Sequence, residues 1–355
     1  MTTSNLARNI LFQPQSLRCV LQHQCGEGAA SLAKAAALLG CGRRVLITGM
    51  GASLIASIPF EYFLSSLGID AVSVEAGELL HYRQGGFRDS VVVVVSRSGE
   101  SVEVAKLLEV LKGHNSVIGI SNEPQSLLAR NADVSIHINS LADEYVAIQT
   151  YTGTLLTLHL LASAVNQTHQ AAADTLSSLL PVFSQLVESS FDRIKLWDDF
   201  LATDSAFYLL ARGPSCASAY AGSLLLHEVA KCAAVGMAIA TFRHGPVEVV
   251  DSNFRGFVFA PEGKTRTLNL ALARDLARFG AKLSVLGPSF ENTTAGILVS
   301  ELPSVSEMLA PLFEIVPMQA VALRMAELRG IPPGSFRYAP QVAVDEATFG
   351  QRQVS

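Results

Sequence analysis

With 355 residues, 49% of them hydrophobic, the chain has room for two ordinary domains or one large one around a sizeable core. Only 16% of residues are charged and the formal charge is −5, which argues against a general nucleic-acid binder and for surface buried by self-association. Cys19, Cys25, Cys41, Cys216 and Cys232 show no CxxC spacing and are odd in number, so no metal site or disulfide framework is implied; a reduced, cytoplasmic protein is expected, with no signal peptide and no run of the ~18–20 apolar residues a membrane span needs.

Residues 1–13 read as a loose arm. Helical periodicity runs from Pro14 to Leu39, broken at Cys25-Gly26. Strands are expected at 44–48, 71–75, 91–95, 117–121 and 134–138, separated by helices, with a mostly helical stretch from Glu144 to Val165. Residues 171–201 read as linking helices, with Pro181 at a helix start. The pattern then restarts: strands at 207–211, 237–241, 254–259 and 282–286, and helices at 216–233, from about Gly245, at 267–279 and at 308–328. Pro332, Pro333 and Pro340 mark an extended tail. This alternation predicts an α/β protein with two doubly wound, flavodoxin-like parallel sheets. The expected division is an N-terminal arm and helices over 1–43, a first domain over 44–170, a helical linker over 171–203, a second domain over 204–330 and a tail over 331–355.

The stretch Val91–Ser101 anchors the reading. Five consecutive valines suit a strand covered on both faces, and Ser96-Arg97-Ser98-Gly99-Glu100-Ser101 then leads into a helix. Helix starts leave backbone N–H groups unpaired and favour negative charge; three hydroxyls, Arg97 and a close-approach glycine complete a phosphate cradle. The ordinary use of such a turn is helix capping by Ser98 or Ser101. Gly49-Met50-Gly51-Ala52-Ser53-Leu54 begins like a dinucleotide fingerprint but lacks the third glycine, so Gly51 and Ser53 are better read as a second anion turn at a strand's carboxyl end. Gly213-Pro214-Ser215 matches it in the second half. The counterpart of the serine loop, 260–265, carries Glu262 where a hydroxyl is wanted, so one phosphate site per chain is expected. Gly263-Lys264-Thr265 lacks the first glycine of a P-loop. His227-Glu228 lies in an apolar helix without the second histidine of a zinc protease; Glu228 is a general-base candidate, or else an exposed acid. His244-Gly245-Pro246 precedes a helix, where His244 is a candidate acid–base group or a capping residue.

Taken together these pieces resemble the SIS family of phosphosugar isomerases, above all the isomerase half of glucosamine-6-phosphate synthase and its stand-alone deglycase and deaminase relatives, as two SIS domains in tandem. The resemblance rests on Gly51-Ala52-Ser53, Ser96–Ser101, Glu228 and His244-Gly245-Pro246 in that order. It implies that Gly51, Ser53, Ser96, Arg97, Ser98 and Ser101 bind the sugar phosphate. It also implies that Glu228 moves a proton between C1 and C2, and that His244, lent by a second subunit, opens the sugar ring. Asp143-Glu144-Tyr145-Val146-Ala147 is similar to the family's Glu-x-x-Val-Ala, making Glu144 and Val146 possible substrate contacts without settling which acid matches. Leu225 and Thr241 stand where the family has a lysine and an acid, and Pro340-Gln341 where it has a tail lysine.

The expected function is isomerisation, deamination or deglycation of a ketose or amino-sugar phosphate or sugar–amine adduct. No cofactor or metal is expected, nor any nucleic-acid or membrane partner. A homodimer, or dimer of dimers, would share the active site. No glutaminase domain is expected ahead of residue 1, nor glutamine as the direct nitrogen donor. The rival expectation is a non-catalytic sugar-phosphate-binding regulator, which the missing lysines favour.

Overall fold

A computed structural model describes residues 4–86, 88–338, 343, 345 and 346. In chain order its elements are α1 (Asn5–Cys25), α2 (Ala29–Leu39), β1 (Val45–Gly49), α3 (Gly51–Ala56), α4 (Ile58–Ser66), β2 (Ala71–Glu75), α5 (Ala76–Tyr82), β3 (Val91–Val95), α6 (Val102–Leu111), β4 (Ser116–Ser121), α7 (Leu127–Asn131), β5 (Val134–His137) and α8 (Gln149–Val165). Then follow α9 (His169–Arg193), α10 (Asp198–Leu201), β6 (Phe207–Ala211), α11 (Cys216–Glu228), β7 (Ala234–Ala238), α12 (Ile239–Phe242), β8 (Arg255–Phe259), α13 (Arg266–Arg278), β9 (Lys282–Gly287), β10 (Ile297–Glu301) and α14 (Ala310–Leu328).

The chain forms two compact units, Gln15–Leu180 with Phe336–Ser355, and Met1–Pro14 with Pro181–Ser335. Each holds a five-stranded, all-parallel sheet. The first has the order β2-β1-β3-β4-β5, the second β10-β9-β8-β6-β7. Followed from the first strand of each, these are the same order, and in both the winding reverses between the first and third strands: β1 beside β3, β6 beside β8. A doubly wound parallel sheet is therefore the observed fold. The valine run is buried throughout, as a strand covered by helices on both faces must be. Val92 and Val94 pack with Leu46, Val104, Leu107 and Leu111 in the core of the first unit. Val258, Leu283 and Val285 do the same with Phe242, Leu272 and Leu276 in the second.

Several elements differ from expectation. Residues 5–13 are not a loose arm: α1 starts at Asn5, with Leu6, Ala7 and Ile10 buried, and residues 1–3 lie outside the described residues. Pro14 lies inside this helix and cannot donate to the Ile10 carbonyl. The Gln13 side-chain amide does so instead, at 3.1 Å. Pro181 likewise lies inside α9 rather than at its start. Helix α8 begins at Gln149, not near Glu144, because the Asp143 carboxylate collects its first donors. Helix α11 stops at Glu228, short of residue 233, and Lys231 then takes a left-handed φ of 51°. β7 is Ala234–Ala238 rather than 237–241, followed by short α12, and Pro246–Val249 is a single 3-10 turn instead of a longer helix. β10 was not expected at all; it is a largely exposed edge strand paired only to β9.

Candidate functional site

The site grows from the reversal point of the first sheet. Gly49 and Val95, the last residues of β1 and β3, are register partners, so the chains leaving them start roughly 5 Å apart. Gly49 permits this approach, since a Cβ there would lie 2.6 Å from the Val95 carbonyl oxygen. After β1, Met50 is extended (φ −137°, ψ 151°) and Gly51, the first residue of α3, takes φ +50°. Ser53, half-buried, sits on the first turn of that helix.

After β3 comes the serine loop. The Gly99 N–H donates to Ser96 Oγ at 3.1 Å and the Glu100 N–H to Ser98 Oγ at 3.3 Å. Gly99 has φ +63°, and a Cβ there would lie 2.4 Å from Ser126 Oγ, so conformation and space both require glycine. Ser101 is the N-cap residue of α6, yet its hydroxyl caps nothing. It is buried, and Oγ has no partner among the described residues. The capping reading thus fails for Ser101 but describes Glu100, whose carboxylate accepts from Leu127 N–H at 2.7 Å at the start of α7. One donor expected to be open is taken: Val102 N–H donates to the Ala343 carbonyl at 3.0 Å.

Arg97 Nη1 donates to the Tyr145 carbonyl at 3.1 Å, joining the serine loop to residues 143–148. There Asp143 Oδ2 accepts from Ile148 N–H, Thr150 N–H and Thr150 Oγ1, and Oδ1 from Gln149 N–H, at 2.7–3.1 Å. Asp143 is therefore structural. Glu144 is exposed and Val146 is buried, 3% exposed. Thr48, which belongs to no motif in the sequence, is a fully buried hydroxyl one residue before the end of β1 and without a partner among the described residues. Its signal was a lone hydroxyl in an apolar strand.

In the other unit Glu228 ends α11, half-buried. Its backbone carbonyl accepts from Lys231 Nζ, which also donates to the Ser335 carbonyl. His227 is exposed and accepts from Ala234 N–H through Nε2, at 3.2 Å, which fixes the turn after Glu228. His244 is exposed, with its N–H on the Thr241 carbonyl, and Gly245 follows at φ +128°. Leu225, at the position of the family lysine, is buried. Pro340-Gln341 lies outside the described residues.

Residues 38–164 match the family model described as the SIS domain. The chain is 28% identical over 335 residues to the glutamine–fructose-6-phosphate aminotransferase (isomerizing) of Pyrococcus horikoshii, covering 92% of this chain and 55% of that protein. It thus spans about half the length of the curated relatives it matches. The C-terminal domain of glucosamine-fructose-6-phosphate aminotransferase from Francisella tularensis superposes with a TM-score of 0.80 at 19% identity, over 92% of this chain and 96% of that one. Glucosamine-6-phosphate deaminase from Thermotoga maritima gives 0.76 at 20% identity, over 96% and 100%. At such identities these two structures speak to the fold. No described helix is long and apolar enough to cross a membrane. The serine loop and the sheet's reversal point both lie within residues 38–164, the span that matches the SIS domain.

Proposed function

We propose that this chain is a phosphosugar-transforming enzyme that shifts a proton between adjacent carbons of a ketose or amino-sugar phosphate, through an enediol or enolamine. The observation that carries the reading is the buried hydroxyl of Ser101, without a partner among the described residues, on a loop shaped by Gly99. In this reading Ser53, Ser96, Ser98 and Ser101 hold the phosphate, Gly51 lets the backbone approach it, and Arg97 supplies the cation. A phosphate held away from the reacting carbons turns binding energy into orientation. The Glu228 carboxylate takes the proton from one carbon and returns it to its neighbour. His244, contributed by a second copy in a homodimer, moves the ring-oxygen proton as the sugar opens. Isomerisation, deamination and deglycation all share that step. The relatives' names support the sugar-phosphate class, with fructose 6-phosphate as the first substrate to try.

The test is solvent deuterium incorporation into a panel of hexose phosphates and their amine adducts. Exchange is expected with at least one of them, abolished in Glu228→Gln while the same ligand still binds. Binding without exchange in the unmodified chain would instead support a sugar-phosphate-binding regulator, the reading that Leu225 in place of a lysine favours.

A further inference from the structure

The reversal point of the second sheet repeats the first turn and then closes it. Arg212 is extended at φ −133°, ψ 152°, and Gly213 takes φ +57°, nearly the values of Met50 and Gly51. Neither glycine is short of space, so it is the positive φ that calls for glycine in both. Ser215 then stands third in the turn, as Ser53 does. In the second sheet that serine already has a carboxyl group as its partner. Its Oγ donates to Glu314 Oε1 at 2.8 Å, and Ser218 Oγ, one turn further along α11, donates to Oε2 at 2.5 Å. Glu314 projects from α14 and is 1% exposed. It borders a narrow space also lined by Pro261, Gly287 and Pro288, residues just beyond or at the ends of β8 and β9.

The other half of the seat is closed in the same way. Lys264, in the loop that corresponds to the serine loop, gives its N–H to Glu307 Oε1 at 3.0 Å. A Cβ on Gly263 would lie 2.0 Å from the Glu307 carboxyl carbon. Two carboxylates seven residues apart thus answer donors of both turns. A carboxyl group buried in a mainly apolar helix is costly unless its oxygens are hydrogen-bonded, and Ser215 and Ser218 supply those bonds.

We propose that Glu314, assisted by Glu307, is a built-in ligand: it fills in the C-terminal sheet the anion seat that the N-terminal sheet leaves open, so each chain has one phosphate seat. The closely matching turn geometry makes Glu314 a stand-in for the anion that Ser53 would meet. The titratable and charged groups beside it are Cys216, whose thiol burial pushes up to about 11 with Glu314 adding to the effect, and Arg212, whose Nε donates to Asn269 Oδ1.

The test is thermal melting with and without inorganic phosphate for the full chain, Glu314→Ala, and Glu314→Ala combined with Ser215→Ala, with equilibrium phosphate binding alongside. Phosphate is expected to raise the midpoint of Glu314→Ala by more than that of the unmodified chain, with one additional phosphate bound per chain and both gains lost in the double variant. If Glu314→Ala folds only marginally, phosphate is expected to restore its refolding yield, and the double variant is not rescued. Equal phosphate effects on the unmodified chain and Glu314→Ala, or failure of phosphate to rescue a misfolded Glu314→Ala, would overturn the proposal. Loss of the first phosphate in Ser101→Ala reports separately on the N-terminal seat.

Discussion

A buried hydroxyl without a partner lowers stability by about 1–3 kcal/mol, and Ser101 Oγ has none among the described residues. Removing it relieves that cost in the free protein and removes a donor from the phosphate. Ser101→Ala is therefore expected to melt at or slightly above the temperature of the unmodified chain. It should bind phosphosugar some ten- to a hundredfold more weakly, about the worth of one hydrogen bond to a charged group. Calorimetric titration and a melting curve on the same sample check both signs. Gly99→Ala is expected to act the opposite way. With φ +63° and Ser126 Oγ in the path of a Cβ, it forces the loop apart and disturbs Ser126, whose Oγ accepts from Ala129 N–H in α7. A loss of about 1–3 kcal/mol in denaturant unfolding is expected, together with loss of binding. The two variants separate residues that hold the ligand from residues that hold the loop.

At the scale of elements, strands flanked by strong signals were legible and those defined by their neighbours were not. The valine run identifies itself, whereas β7 reads Ala-Val-Gly-Met-Ala, with little intrinsic strand preference, and is placed by pairing with β6. β10 needs β9 beside it to be a strand at all. Helix α1 hid behind Pro14, because a local rule cannot foresee that Gln13 will cover the orphaned Ile10 carbonyl while exchanging hydrogen bonds with Gln319. The serine loop was legible because its glycine and hydroxyls act locally. The role of Asp143 was not, because only the folded turn shows where its oxygens point. Asp143→Ala strips four hydrogen bonds from the start of α8 and frees residues 144–148, where Arg97 is anchored on the Tyr145 carbonyl. A loss of about 2 kcal/mol is expected in chemical denaturation, with weaker phosphosugar binding, and Asp143→Asn should recover part of both.

Over the whole molecule, one buried group and one half-buried group pull the pH dependence of stability in opposite directions. Burial pushes the Glu314 carboxyl up to about 7 from its ordinary 4.5, against the lowering effect of Ser218 and Ser215. The folded chain therefore holds a proton that the unfolded chain has lost between those values, and stability falls as pH rises from 4.5 to 7. His159, in α8 with its ring 5.6 Å from that of Phe63, is pushed by burial down to about 4 from 6.5. There the unfolded chain binds the extra proton, so stability falls as pH drops from 6.5 to 4. Each effect is worth on the order of 3 kcal/mol. Between 4.5 and 6.5 the two contributions cancel, and one substitution uncovers the other. Relative to the unmodified chain, Glu314→Gln should show stability rising with pH across that window, and His159→Leu should show it falling. Because Glu314 and His159 belong to different compact units, calorimetry in which the units melt separately should assign each slope to its own transition. A flat difference curve for Glu314→Gln from pH 4.5 to 7 would mean that its carboxyl is already ionised at the low end and is held as a charge by the two serines.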